Sequence, residues 1–123
     1  MTFDELKKRA YHSHTIPNGL TDIERLQFII ARRVYSGFRG GEIDQSEARP
    51  MMEFIGRYPS LKAKEQSAIL RYAHALLSDD AGKGVPGALD DVRFVAEVYN
   101  AVNRRKPTVE GGGNDVNKAI RKR

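Results

Sequence analysis

Cysteine is absent from this chain. That excludes disulfides and cysteine-based zinc sites, and it makes a cytoplasmic setting the expectation. No stretch of 18 apolar residues occurs, so no membrane span is expected. The opening residues, MTFDELKKRAYHSH, are charged and lack the apolar core of a signal peptide. No segment reads as a strand, and no internal repeat is present.

What remains suits one soluble domain. The 123 residues are enough for a core that forms without staples, and 40% of them are hydrophobic against 30% charged. The net charge is +5, but it is unevenly placed. Residues 104–123 hold seven basic and two acidic residues, whereas residues 1–103 hold fourteen of each. The pI near 9.6 therefore describes a basic tail, a common kind of interaction segment, rather than a basic domain.

Three capping boxes punctuate the first half: Thr2 with Glu5, Thr21 with Glu24, and Asp44 with Glu47. The first opens a short helix over residues 3–11, with Phe3, Leu6 and Ala10 on one side. Pro17, Asn18 and Gly19 break the chain before the second box. From there Ile23, Leu26, Ile30, Val34 and Phe38 recur at steps of three or four, as an amphipathic helix requires. Gly40 is the expected left-handed stop. In the third helix Ala48, Met51 or Met52, Ile55 and Tyr58 form the apolar stripe. Pro50 either kinks that helix or marks its true start, and the spacing leaves both open. Ser60 is the expected cap of a fourth helix that runs to about Ser78, with Leu61, Ala68, Ile69, Tyr72 and Leu76 inward. A fifth spans about 88–105 on Leu89, Val92, Ala96, Tyr99 and Val102, with Asp90 and Asp91 favouring its positive end.

Few motifs carry chemistry. GKGVPG, residues 82–87, matches G-x-G-x-x-G in letters only, because a helix and not a strand precedes it. It reads as a loop. His12 and His14 lack a third ligand at metal spacing, and His74 reads as a packed helix residue. Asp79-Asp80 and Asp90-Asp91 lack the alternating oxygens of a calcium loop. No nucleophile system is identifiable, so neither enzymatic activity nor a cofactor is expected.

The stretch RRVYSGFRGGEI, residues 32–43, is more informative. On a helical wheel Arg25, Phe28, Arg32, Tyr35 and Arg39 gather opposite the apolar stripe. They form a basic–aromatic face about 20 Å long. Arginine grips phosphate through paired hydrogen bonds, and Phe or Tyr faces stack on bases. The competing reading is a central helix covered on both sides, with its arginines reaching past the core to water. The tail adds Arg104, Arg105, Lys106, Lys118, Arg121, Lys122 and Arg123. These suit phosphate contacts without sequence preference, or simply a solvated terminus.

Residues 16–48 resemble small uncharacterised helical proteins of bacterial phages and mobile elements. The resemblance rests on Pro17, Gly19, Leu20, Glu24, Arg32, Tyr35, Gly41, Ile43 and Asp44. It implies a phage-type accessory setting and brings no activity or site with it. Pro50 departs from the charged helix that usually follows this pattern.

The sequence thus predicts an all-α, single-domain bundle of about five helices over residues 1–106, with a flexible basic tail over 107–123. The expected function is non-enzymatic binding of an anionic ligand, nucleic acid or a small nucleotide, by the helix face and the tail. One alternative is a protein-interaction module that inhibits a host defence protein through an acidic surface. Another is a structural or assembly subunit of a phage particle. A homo-oligomer is compatible with each.

Overall fold

A computed structural model of the protein describes residues 1–13 and 15–104. It is an all-α bundle: α1 (Phe3–His12), α2 (Asp22–Arg39), α3 (Gln45–Gly56), a 3-10 turn at Tyr58–Ser60, α4 (Ala63–Gly82) and α5 (Ala88–Arg104). No strand occurs among the described residues.

All three capping boxes form. Thr2, Thr21 and Asp44 each accept the amide of the glutamate three residues on, at 3.2, 3.2 and 2.9 Å. Each glutamate returns the bond to the cap amide, at 2.8, 2.9 and 3.1 Å. Each cap satisfies orphan donors at its helix start and is worth about 1 kcal/mol. Lys62, which precedes α4, has no acceptor to offer, and only its own amide is held, by Glu65 at 3.1 Å.

The helix ends differ from expectation in instructive ways. Gly40 stays right-handed, and Gly41 takes the left-handed turn at φ +79°. Glu42 N–H then reaches back to Gly37 O at 2.8 Å and Gly41 N–H to Phe38 O at 3.2 Å, a Schellman ending. Ile43 folds back over Gly37, where a methyl group would sit 2.7 Å from Ile43 Cδ1. The second ending has the same form. Helix α4 runs on to Gly82, past the expected stop at Ser78. Val85 N–H reaches Asp80 O at 3.0 Å around Gly84, whose φ is +78°. The glycines of GKGVPG therefore end one helix and turn into the next. Ser60 is not the cap of α4; its Oγ bonds Arg57 O at 2.8 Å.

Helix α3 starts at Gln45, and Pro50 lies inside it. The carbonyl of Ser46, which proline cannot reach, belongs to an exposed residue, which lowers the cost of the missing bond.

Helix α2 is the axis of the bundle. Residues 26–31 are buried without a break, because α1 and α3 pack against it and the α4–α5 hairpin closes the core. Leu26, Phe28, Ile29 and Val34 are fully buried with Leu6, Leu70 and Val95, each side chain contributing about 1.5–3 kcal/mol. Ile23 and Phe38, at the two ends of the expected stripe, are instead 42% and 41% exposed. Two other stripes are rotated. In α4 the inward side chains are Ser67, Ile69, Leu70, Ala73 and Leu77, while Ala68 and Tyr72 face outward. His74 is exposed rather than packed. In α5 Ala88, Asp91, Phe94, Val95 and Val102 are buried, and Leu89 is outside. Both rotations bury polar residues, which the apolar count assigns to water. Ser67 reaches across to Asn103, and Asp91 reaches α2.

Candidate functional site

The basic–aromatic face of α2 divides into two environments. In the first, Phe28 is wholly inside the core. Arg32 forms an ion pair with Asp91 of α5. The Arg25 guanidinium lies over the Phe94 ring, 4.2 Å from its centre. The neighbouring Arg33, a residue the helical wheel does not single out, has its guanidinium 3.0 Å from Glu42 and 2.8 Å from Asp80. These residues are helix-to-helix ties. Burial pushes the Asp91 carboxyl above its usual range, while Arg32 and Arg25 pull it back.

A cavity of about 400 Å³ sits here, beneath the turn at Val85 and Pro86. Arg32, Arg33, Asp80 and Asp91 line it. Each cation in it faces a carboxylate, so the site has little net attraction for an anion. The stripe residues Arg25, Phe28 and Arg32 thus act as packing and pairing residues in this fold. The apolar and charged sides of α2 are both covered, which is the physical reason they do not form an open face.

The second environment begins at Tyr35. Its ring meets Tyr11 edge-on at 5.2 Å, and partial burial raises its hydroxyl pKa. Arg39 lies over the Tyr11 ring at 4.6 Å and donates to the Tyr11 carbonyl, closing the end of α1. From Tyr35 a groove of about 890 Å³ opens between α1, the end of α2 and α3. Phe3 and Lys7 come from α1, Tyr35 and Phe38 from α2, and Arg49, Met52, Glu53 and Arg57 from α3 and its cap.

Local sequence explains this convergence. Phe3 and Lys7 are four residues apart on α1 and share a face. Arg49, Met52, Glu53 and Gly56 follow helical spacing on α3. Gly56 lets the two helices approach, because a methyl group there would lie 2.7 Å from the Phe3 ring. Lys7 Nζ lies 5.5 Å from the Phe3 ring centre and 3.3 Å from Asp4, an exposed contact worth little. Arg49 and Arg57 are exposed and form no ion pair among the described residues. Arg57 instead lies 5.7 Å from the Phe54 ring centre. The groove is therefore lined by Arg49, Arg57 and the Asp4-bound Lys7 against Glu53, beside the rings of Phe3, Tyr35 and Phe38.

Of the sequence-predicted residues, Tyr35 alone lines this groove, and Arg39 is engaged with Tyr11 instead. Arg104 is exposed at the end of α5. Arg105, Lys106, Lys118, Arg121, Lys122 and Arg123 lie outside the described residues, as does His14. Lys7, Arg49 and Arg57 were beyond single-helix reasoning, because they become one site only when α1 and α3 meet across α2. No group of three His, Asp or Glu side chains able to hold a metal occurs among the described residues. None of the described helices is long and apolar enough to cross a membrane.

No family model matches the chain, and no characterised protein or solved structure matches it at a significant level.

Proposed function

We propose that this chain is a small non-enzymatic binding protein that takes an anionic ligand bearing an aromatic ring in the α1–α2–α3 groove. Nucleotides and nucleic acids are the ligand class. The observation that carries this reading is the meeting in one groove of exposed Arg49 and Arg57, which form no ion pair among the described residues, with the exposed ring of Phe38 and the half-buried ring of Tyr35. Guanidinium groups supply forked hydrogen bonds to phosphate, and the rings supply stacking surface. The basic tail would add attraction without sequence preference. The resemblance of residues 16–48 supports a phage-type accessory role, in which the protein holds a nucleotide or strand in the host cytoplasm.

The test is native mass spectrometry of the gently purified full chain, alone and with mixed nucleotides and short oligonucleotides. A discrete added mass that disappears in the Arg49→Ala/Arg57→Ala double variant supports the groove. An added mass that persists in that variant sinks it. The same spectrum reports whether the protein is a homo-oligomer.

The protein-interaction reading has one supporting observation. A second cleft, of about 400 Å³ between α3 and α4, is lined mainly by apolar groups, among them Met51, Phe54 and the 42% exposed Tyr72. A protein partner would be favoured if no nucleotide mass is retained and Tyr72→Ala abolishes capture of a host protein.

A further inference from the structure

The proposed groove has a length and a shape that narrow its ligand, and this step rests on the reading just given. Arg49 and Arg57 are eight residues apart along α3 and its cap, about 12 Å at the helical rise. Cations placed at both ends of this stretch suit the separate phosphates of a strand better than the clustered phosphates of one nucleotide. Lys7 adds a third cation from the α1 wall.

The rings set a second limit. Phe38 is 41% exposed at the groove, and Phe3 and Tyr35 are half-buried beside it. Such rings can stack only on bases whose faces are free. A duplex hides its base faces within the helix and would meet only the cations at the rim. Glu53, midway between the two arginines, is a repulsion that any phosphate-bearing ligand in the groove must bear.

We infer that the groove binds a short segment of single-stranded nucleic acid. Its backbone runs along α3, with non-adjacent phosphates at Arg49 and Arg57 and a base on the Phe38–Tyr35 side. The groove reads no base edges by this geometry, so binding tolerates sequence. It depends on salt through two or three phosphate contacts.

The experiment is fluorescence anisotropy with the full chain and three probes: a labelled short oligothymidylate, a labelled blunt duplex, and ATP as unlabelled competitor. The oligothymidylate should bind more tightly than the duplex, and ATP should compete at least about a hundredfold more weakly. Arg49→Ala and Arg57→Ala should each weaken the strand about tenfold, as loss of a charged hydrogen bond does. Phe38→Ala should do the same through lost stacking. The salt slope, d log K/d log [salt], that the two arginine substitutions remove should be about −1.4 together, from −0.7 per phosphate. If ATP competes as well as the strand and Arg57→Ala changes nothing, the single-strand inference is overturned while a nucleotide groove survives. If the duplex binds as tightly as the strand, the inference falls as well. If strand binding is unchanged in all three variants, both the inference and the groove reading fail, and the tail is the source.

Discussion

Beneath the α4–α5 turn, Arg32 and Arg33 face Asp91, Asp80 and Glu42. In the α1–α2–α3 groove, Arg49 and Arg57 share the lining with Phe3, Tyr35 and Phe38 and have no carboxylate within ion-pair distance among the described residues. The two cavities use the same side chain for different ends. Where a guanidinium is largely buried, the cost of taking its charge out of water requires a counter-charge, and the result is a tie between helices. Where it is exposed, water carries the solvation cost and the charge stays available to a ligand. Burial, rather than the number of arginines, separates the structural site from the binding candidate.

The largest expected effect tests the buried side of that contrast. Asp91→Ala leaves the Arg32 guanidinium, with only 16% of its side chain exposed, without its carboxylate. A loss of about 3 kcal/mol in urea unfolding is expected, the lower end for breaking a buried pair, because Arg32 can still reach some water. Replacing both partners, Arg32→Met with Asp91→Leu, should recover most of it. The raised Asp91 carboxyl says that its charge is held at a cost even beside Arg32. If Asp91→Ala unfolds no more easily than wild type, the pair is not a tie and the contrast collapses.

Next in size is the wall of the groove. Gly56→Ala places a methyl group 2.7 Å from the Phe3 ring, so α1 or Phe3 must shift. Overpacking of this kind costs about 1–2 kcal/mol, since the obstructing atoms belong to a ring that is only half-buried. A thermal melt measures it. Unchanged stability would mean that Phe3 swings aside freely and does not form a fixed wall.

Acid should loosen the two regions in order. Hydrogen bonds from Thr2 to Glu5, from Thr21 to Glu24, and from Ser46 and Glu47 to Asp44 hold these carboxyls below their usual range. Their contribution is present above the ordinary carboxylate pKa of about 4 and is lost as pH falls through the lower folded values. All three sit at the starts of α1, α2 and α3, the walls of the groove. At the start of α4 the Glu65 carboxylate accepts from the Lys62 amide at 3.1 Å, but Lys62 has no side-chain acceptor to complete the box. Residue-resolved hydrogen exchange at decreasing pH should therefore show α1 opening before the α4–α5 hairpin. Simultaneous opening would show that the bundle is one cooperative unit in acid.

Legibility in the sequence followed the range of the interaction. The capping boxes were readable because donor and acceptor are three residues apart, and all of them form. Five helices followed from them and from the apolar spacing. The inward faces of α4 and α5 were misread because Ser67 and Asp91 are buried for partners on other helices, Asn103 and Arg32. For the same reason the wheel of α2 gave an arginine–aromatic face without its covering. Phe28 and Arg32 look available only until α5 is in place. The groove was invisible for the converse reason, since Lys7, Arg49 and Arg57 are ordinary surface residues on their own helices. What brings them into one groove is the approach that Gly56 permits.

The smallest effect probes the open side alone. Glu53 stands four residues from both Arg49 and Arg57 on α3, so its carboxylate is the single opposing charge in a groove lined by three cations. It is exposed and makes no ion pair among the described residues, so Glu53→Gln should leave stability within about 0.5 kcal/mol of wild type. For an anionic ligand the substitution removes a repulsion at short range, partly screened by water and salt. Affinity for oligothymidylate should rise about twofold to fivefold at low salt, and the gain should shrink as salt increases. A neutral or cationic ligand predicts no gain or a loss. A strand held elsewhere, by the tail or another face, gives no change, so the groove and a distant source give different answers to a change that costs the fold almost nothing.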